Sequence, residues 1–277
     1  MIPQATSVPA SPLSRAHPWD LVASEYARDL APHCGEYASD ALALAPLSAG
    51  ARVLDLAAGP GTLSLLAAKQ GLSVTAVDFS NMMIAELRER AVRAGVSERV
   101  EARVGDGQAL PEDIGRFDAA FSIFGLIFFA DRECGLREIR RVLVPGGRAV
   151  VVSWAPLEAV PEIRKLFAAL RRAVPELTIP SAPAPLGSGE EMQQALLAAG
   201  FRRVQVHSRS HDLFFQSASD FWHVFARSAA PVVLVRERVG EARWGAISAS
   251  VVPELVAEFA GVPVVLSMPA YFGVGER

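Results

Sequence analysis

Cysteine is scarce in this chain. Cys34 and Cys134 are the only two in 277 residues, far apart and without a CxxC spacing, so neither a disulfide framework nor a zinc knuckle can be built from them. They read as reduced thiols, which points to a cytoplasmic protein. Charge of one sign is scarce as well. Lys and Arg number 27 against 30 Asp and Glu, for a net charge of −3, and no basic block exists of the kind that nucleic acid or an anionic membrane surface would attract. No apolar run is long enough to span a membrane; the greasiest stretch, Phe117 to Ala130, contains Asp118 and Gly125. The first eighteen residues, MIPQATSVPASPLSRAHP, lack the basic start and apolar core of a signal peptide. Rich in Ser, Pro and Ala, residues 1–18 are expected to form a disordered tail. No internal repeat is visible.

What remains is an ordinary globular composition, 51% hydrophobic and 21% charged, on a chain long enough for one large domain or a domain with an elaborated cap. Apolar periodicity at Leu21, Val22, Tyr26 and Leu30 predicts a helix after Trp19, with Asp20 and Glu25 facing water. A second helix is expected over about Glu36–Leu44, making residues 19–50 a helical N-terminal lobe. From there strands and helices alternate. Strands are read at Arg52–Leu56, Ser73–Asp78, Val100–Val104, Phe117–Ile123 and Arg148–Trp154. Helices are read at Thr62–Lys69, at Asn81–Ala94 (N-capped by Ser80, stopped by Gly95) and at Arg132–Leu143. That rhythm is the signature of a parallel α/β sheet with right-handed crossovers. After Trp154 it breaks into a helix near Val160–Ala173, a Pro/Ser-rich loop at 178–189 and a helix at Glu190–Ala199. A strand at Phe201–Phe215, helical segments over Ser217–Ala260 and a last strand, Val262–Glu276, bent at Pro269, complete the chain. Residues 51–277 thus read as one α/β domain with cap insertions at about 156–189 and 217–261.

Ligands of open parallel sheets bind beyond the carboxyl ends of the strands, so those ends are read together. The first strand ends in Asp55 and runs through Ala57 into a glycine turn, Gly59-Pro60-Gly61, where backbone N–H groups can approach a ligand and the next helix offers its positive end. The second ends in Asp78-Phe79-Ser80, the third in Gly105-Asp106-Gly107-Gln108, the fourth in Ser122-Ile123-Phe124-Gly125. A glycine turn followed about twenty residues later by an acid also suits a nicotinamide or flavin dinucleotide. Two residues argue against that reading. Ser64 stands where the dinucleotide fingerprint needs Gly or Ala, and Asp55 would repel a pyrophosphate while suiting a cationic amine. Each acid also has a plainer role open to it: Asp55 or Asp78 as a helix cap, Asp106 as a turn residue.

Asp55-Leu-Ala-Ala-Gly59-Pro-Gly61, Asp78, Gly105-Asp106-Gly107-Gln108-Ala-Leu-Pro111 and Leu143-Val-Pro145-Gly146-Gly147 together resemble the class I S-adenosylmethionine-dependent methyltransferases. Within that class the likeness is to the small-molecule branch related to ubiquinone/menaquinone-biosynthesis methyltransferases. It is close over about Trp19–Trp154 and only one of layout beyond. The resemblance implies a Rossmann-like, seven-stranded, mostly parallel sheet with helices on both faces. It also implies S-adenosyl-L-methionine as cofactor, a small-molecule methyl acceptor and no metal. Asp55 and the backbone of Ala57, Gly59 and Gly61 would meet the methionyl end, and Asp78 would accept both ribose hydroxyls. Phe79 and Met83 would cover the adenine, Asp106 would accept from its exocyclic amine, and Gly107 and Gln108 would lie along the ring edge. Main-chain carbonyls from Ser122 to Phe124 would meet the amine. Ala57 departs from the glycine that the family commonly has there.

Methyl transfer needs a base only if the acceptor must first lose a proton. Tyr26, at a place matching a cofactor-pocket tyrosine of the family, is one candidate beside the cofactor. His33 and His223 are the weaker candidates for a base, each with a surface or capping role as its plainer alternative. Trp154, Phe167, Phe221, Trp222, Phe225 and Trp244 either line an acceptor pocket for a partly apolar metabolite, such as a natural-product scaffold, or pack the cap. The expected assembly is a monomer or homodimer. The competing functions are an NAD(P)-dependent oxidoreductase on the same fold and a non-catalytic S-adenosylmethionine-binding subunit.

Overall fold

The computed structural model describes residues 11–156, 159–176, 185–260 and 262–277. The N-terminal lobe consists of α1 (His17–Asp29) and α2 (Gly35–Leu44). It is preceded by a 3-10 turn at Pro12–Ser14. The expected tail is not seen over residues 11–18: Ser11 caps that turn and His17 already opens α1. Residues 1–10 lie outside the described residues.

The core alternates as its sequence does. β1 (Arg52–Leu56), α3 (Thr62–Lys69), β2 (Ser73–Asp78), α4 (Asn81–Arg93) and β3 (Val100–Val104) lead into β4 (Phe117–Ile123), α5 (Arg132–Val142) and β5 (Leu143–Trp154). Then follow α6 (Pro161–Ala173), α7 (Gly189–Ala198), β6 (Arg202–Phe215), α8 (Ala218–Ser228), α9 (Ala230–Val239), α10 (Glu241–Glu258) and β7 (Val264–Glu276). The seven strands form one sheet in the order β3-β2-β1-β4-β5-β7-β6. β1 to β5 are parallel; β7 runs antiparallel to both β5 and β6. The strand order reverses between β1 and β4, and that switch point opens a crevice at their carboxyl ends.

Burial on both faces explains the unbroken apolar strands. Val53, Phe121, Val150 and Val152 pack on one face with Tyr37 and Ala41 of α2, Leu63 and Ala67 of α3, and Ile84 and Leu87 of α4. Leu54, Leu56, Ala120 and Val151 pack on the other with Leu136 and Ile139 of α5 and Met192 and Leu196 of α7.

A third core lies beyond the end of β5. α6, α8 and α10 gather around Phe221, Trp222, Trp244 and Val251, and the ends of β6 and β7 contribute Leu213, Phe215, Val264 and Leu266. Those strand ends extend beyond β5, whose last register pair is Trp154 with Ala270. Pro269 sits immediately past that pair, where β7 has β6 as its strand neighbour and pairs with Ser210; a proline without an N–H is tolerated there. The helical segments expected in 217–261 are three, and they pack as one unit with α6. Most of the Pro/Ser-rich loop falls outside the described residues.

α1 departs from its periodicity. Its buried residues are Pro18, Val22, Ala23 and Ala27, while Leu21, expected on the inner face, is 41% exposed.

Candidate active site

The strand ends converge on one cavity of about 240 Å³, walled by Asp55, Asp78 and Asp106 and by the turn Ala57-Ala58-Gly59-Pro60. The turn follows directly from its sequence. Gly59 and Gly61 take φ of +53° and +83°, in the left-handed region where a side chain is disfavoured. Gly61 is not in the cavity wall; a Cβ on it would come 2.6 Å from the Leu87 side chain. A glycine at this point lets α3 start against α4. Ala57 takes φ +56° without being glycine. The strain is tolerated where its Cβ faces Gly125, on which a Cβ would come within 2.3 Å of it. One small residue of the pair compensates for the other.

Asp55 is buried, and its Oδ2 accepts from the Ser64 amide (3.1 Å) and the Ser64 hydroxyl (2.6 Å). The Ser64 bonds do not take Asp55 out of the cavity: both use one oxygen, and the residue still lines the wall. Ser64, which spoils the dinucleotide fingerprint, is what orients this carboxylate. Burial, reinforced by the nearby Asp78 charge, pushes the Asp55 carboxyl up to about 6 despite the Ser64 bonds. Asp78 is poised likewise at about 6 by burial. Its Oδ2 accepts from the Gly59 amide (2.8 Å) and its Oδ1 from the Ser80 amide (2.9 Å), so it ties the glycine turn to the β2 end. Each oxygen keeps a lone pair for a further donor.

Asp106 is exposed at the rim and accepts from both the amide and side chain of Gln108, at 2.8 and 3.0 Å. Gln108 Oε1 in turn accepts from the Asp131 amide at the start of α5 (2.7 Å). A Cβ on Gly107 would come 2.6 Å from the Phe129 ring, so only glycine passes this point. Phe79, Met83, Phe124, Gly107 and Gln108 all line the cavity, as does Tyr26 from α1. Ser122 does not: its hydroxyl is buried without a partner, behind the wall formed by Ile123, Phe124 and Gly125.

Nor do His33 and His223 reach the cavity. His33 lies against Phe215, and His223 is exposed, its Nδ1 2.6 Å from the Ser219 carbonyl one helical turn back. Of the six aromatics proposed for the acceptor pocket, only Trp154 is in the wall, stacked on Phe124 with ring centroids 3.5 Å apart. Phe221, Trp222 and Trp244 pack the cap core, with Phe167 and Phe225 against it. The wall also includes Leu30 of the apolar period and residues that periodicity did not single out: Ser14 and Trp19 from the N-terminal segment, Cys34, and Ala229-Ala230-Pro231 at the start of α9. The proline at the first turn of α9 was the one local signal for that last group. Tyr26 and Cys34 face each other with Oη and Sγ 3.9 Å apart. Burial pushes the Tyr26 phenol well above its usual range and the Cys34 thiol up to about 11. The described residues hold no His/Cys/Asp/Glu cluster suited to a metal, and no described helix is long and apolar enough to cross a membrane.

A sheet of this order with an antiparallel seventh strand, and an acid-rimmed glycine turn at its switch point, form the Rossmann-like core that the resemblance to class I methyltransferases implies. Residues 53–147 match the family model described as a methyltransferase domain. A demethylmenaquinone methyltransferase from Clavibacter sepedonicus is 42% identical over 132 residues, which are 48% of this chain and 52% of that protein. The chain spans about half the length of the curated relatives it matches. Among solved structures, the [4+2]-cyclase SpnF superposes with a TM-score of 0.61 at 19% identity, covering 98% of this chain and 99% of that one. Phosphoethanolamine N-methyltransferase 2 of Haemonchus contortus, solved with S-adenosylhomocysteine, gives 0.51 at 20% identity over 86% of this chain and 52% of that one. These two likenesses are of fold.

Proposed function

We propose that this protein is an S-adenosyl-L-methionine-dependent methyltransferase acting on a small, partly apolar metabolite, of which a natural-product scaffold is one kind. The observation that carries the reading is the wall of the cavity. Three carboxylates stand in the order β1, β2, β3 around a left-handed glycine turn, and aromatic and aliphatic side chains close the rest. Such a wall suits a ligand with a cationic amine at one end, a diol in the middle and a flat amine-bearing ring at the other. A pyrophosphate would meet the Asp55 carboxylate, which weighs against the nicotinamide alternative. The methyltransferase match over residues 53–147 and the named relatives point the same way.

S-adenosyl-L-methionine supplies a methyl group already activated on a sulfonium. The chain's own work is then to hold and to shield. Asp55 and the turn backbone orient the amino-acid end, Asp78 grips the ribose, and Phe79, Met83, Asp106 and Gln108 frame the adenine. Trp19, Tyr26, Phe124 and Trp154 exclude water, so that the acceptor meets the methyl group in line. The likeness in fold to a cyclase supports a second reading: a cofactor-binding protein on this scaffold that does not methylate.

Calorimetry with S-adenosylmethionine, S-adenosylhomocysteine and NAD(H) separates the cofactors, and a protein that ignores the first two would refute the proposal. In Asp78→Ala the affinity for S-adenosylhomocysteine is expected to fall at least tenfold, or about 1.4 kcal/mol. Unchanged affinity would remove the ribose assignment. Turnover against a metabolite panel separates an enzyme from a silent binder.

A further inference from the structure

α4 begins at the floor of the cavity, and its first N–H groups need acceptors. Ser80 supplies one in the usual way, its hydroxyl oxygen accepting from the Met83 amide at 3.0 Å. The Met82 amide is served from another helix: Asp20 of α1 reaches across, and its Oδ1 accepts from that amide at 3.1 Å. The same oxygen accepts the proton of the Ser80 hydroxyl at 2.6 Å, a short charge-assisted bond to a fully buried residue. With its proton committed to Asp20, the Ser80 oxygen is oriented to receive Met83. The Ser80 amide in turn donates to Asp78 Oδ1. One carboxylate on the N-terminal lobe therefore terminates a chain of bonds that ends on the central acid of the cavity.

We propose that Asp20 is a positioning residue for the cofactor site: from α1 it fixes the Asp78–Ser80 turn and clamps the N-terminal lobe shut over the cavity. The proposal rests on the cofactor reading given above. Asp20 is next to Trp19 and its helix carries Tyr26, both in the cavity wall, so its grip places two wall residues as well as the turn beneath them. Its apolar support is already assembled, since Val22 and Ala23 of α1 pack with Met83 of α4. The other polar ties of α1 go elsewhere. His17 pairs with Glu237 on α9 in the open, with side chains 60% and 47% exposed, where such a pair contributes little. Asp29 is held by Arg227 and Ser228 of α8 at the opposite end of the helix. Asp20 joins the lobe to the strand-end turn itself.

The test uses the full chain with S-adenosylhomocysteine as probe and Asp20→Ala, Asp20→Asn and Glu237→Ala as variants. Asp20→Ala is expected to weaken the probe about fivefold, the scale of a lost helix cap, with the loss in a faster dissociation rate. Asp20→Asn, which keeps an accepting oxygen, should recover part of it, and Glu237→Ala should bind as the parent does. Without ligand, Asp20→Ala should speed amide hydrogen exchange at Met82, Met83 and across residues 17–29. Parental dissociation and exchange rates in Asp20→Ala would overturn the proposal. If the parent itself binds no S-adenosylhomocysteine, the cofactor reading falls instead, and the ligand-free exchange comparison still decides whether Asp20 is the clamp.

Discussion

Asp55 and Asp78 are carboxylates kept buried at the strand ends, and the consequence is measurable. Both carboxyls lie at about 6 in the folded protein, against 3.8 for the ordinary group. The folded state therefore holds these protons more tightly than the unfolded chain does. The destabilisation is complete above pH 6, shrinks as the pH falls from 6 towards 3.8, and is gone below that. In the ligand-free protein, Asp55→Asn is expected to melt higher than the parent at pH 7.5, by about 1–3 kcal/mol at a scale of ~1.4 kcal/mol per pKa unit. That advantage should vanish by about pH 4. Affinity for S-adenosylmethionine should run the other way and decline in the parent as the pH falls through 6, because a neutral carboxyl no longer attracts the amine. Thermal melts between about pH 3.5 and 8 and calorimetry between about pH 5 and 8 check both signs; a parent more stable than Asp55→Asn at pH 7.5 would contradict the account.

Among the elements, α5 does more than cover the sheet. Glu138 accepts from the Leu110 amide at 2.8 Å and is gripped by Arg141, whose guanidinium also donates to the Leu110 carbonyl at 2.9 Å. That guanidinium holds the Glu138 carboxyl below its usual range. Together with Asp131 and the Cys134 thiol, which reach Gln108, these residues pin the loop from Gly105 to Leu110 along one helix. Glu138→Ala strands the Leu110 amide and Arg141 at once, so about 1–2 kcal/mol of stability should be lost. S-adenosylhomocysteine binding should weaken severalfold. Glu133→Ala on the same helix breaks only an exposed pair with Arg137 and should leave both unchanged; equal effects in the two variants would dismiss the pinning role. The strands, the core helices and the acids at the strand ends were legible in the sequence because each is a local pattern: an apolar run, a 3.6-residue period, a carboxylate or glycine where a run stops. Asp20, Trp19 and Ala229–Pro231 were not, since periodicity reports which face of a helix is apolar and not which distant helix end a polar residue caps. Gly61 was legible as a glycine in a turn, yet whether it serves a ligand or the approach of Leu87 is decided in three dimensions. Phe221, Trp222 and Trp244 gave the same sequence signal whether they lined a pocket or filled the cap, and packing decided for the cap.

At the scale of the molecule, the sheet presents the acids, while the N-terminal lobe and the start of α9 close the cavity from above, borne on a cap with its own core. The described wall holds no histidine. The titratable groups in the described wall are Asp55, Asp78, Asp106, Tyr26 and Cys34. The first three are engaged with the turn, Ser64 and Gln108, and the last two are held protonated at neutral pH by burial. Residues 1–10, 157–158, 177–184 and 261 bring only one further titratable side chain, Glu158. If the protein transfers a methyl group as proposed, catalysis by this wall would rest on alignment and exclusion of water, and a proton that must leave the acceptor is expected to leave to solvent before the methyl group moves. Once turnover identifies an acceptor, analogues of graded acidity provide the check. The midpoint of the rate–pH curve, measured at saturating cofactor and above pH 7 where Asp55 and Asp78 are ionised, is expected to follow each analogue's own pKa. Tyr26→Phe, His33→Ala and His223→Ala should leave that midpoint where it is. A midpoint that stayed fixed across the analogues and moved in one of these variants would identify a protein base and overturn the reading.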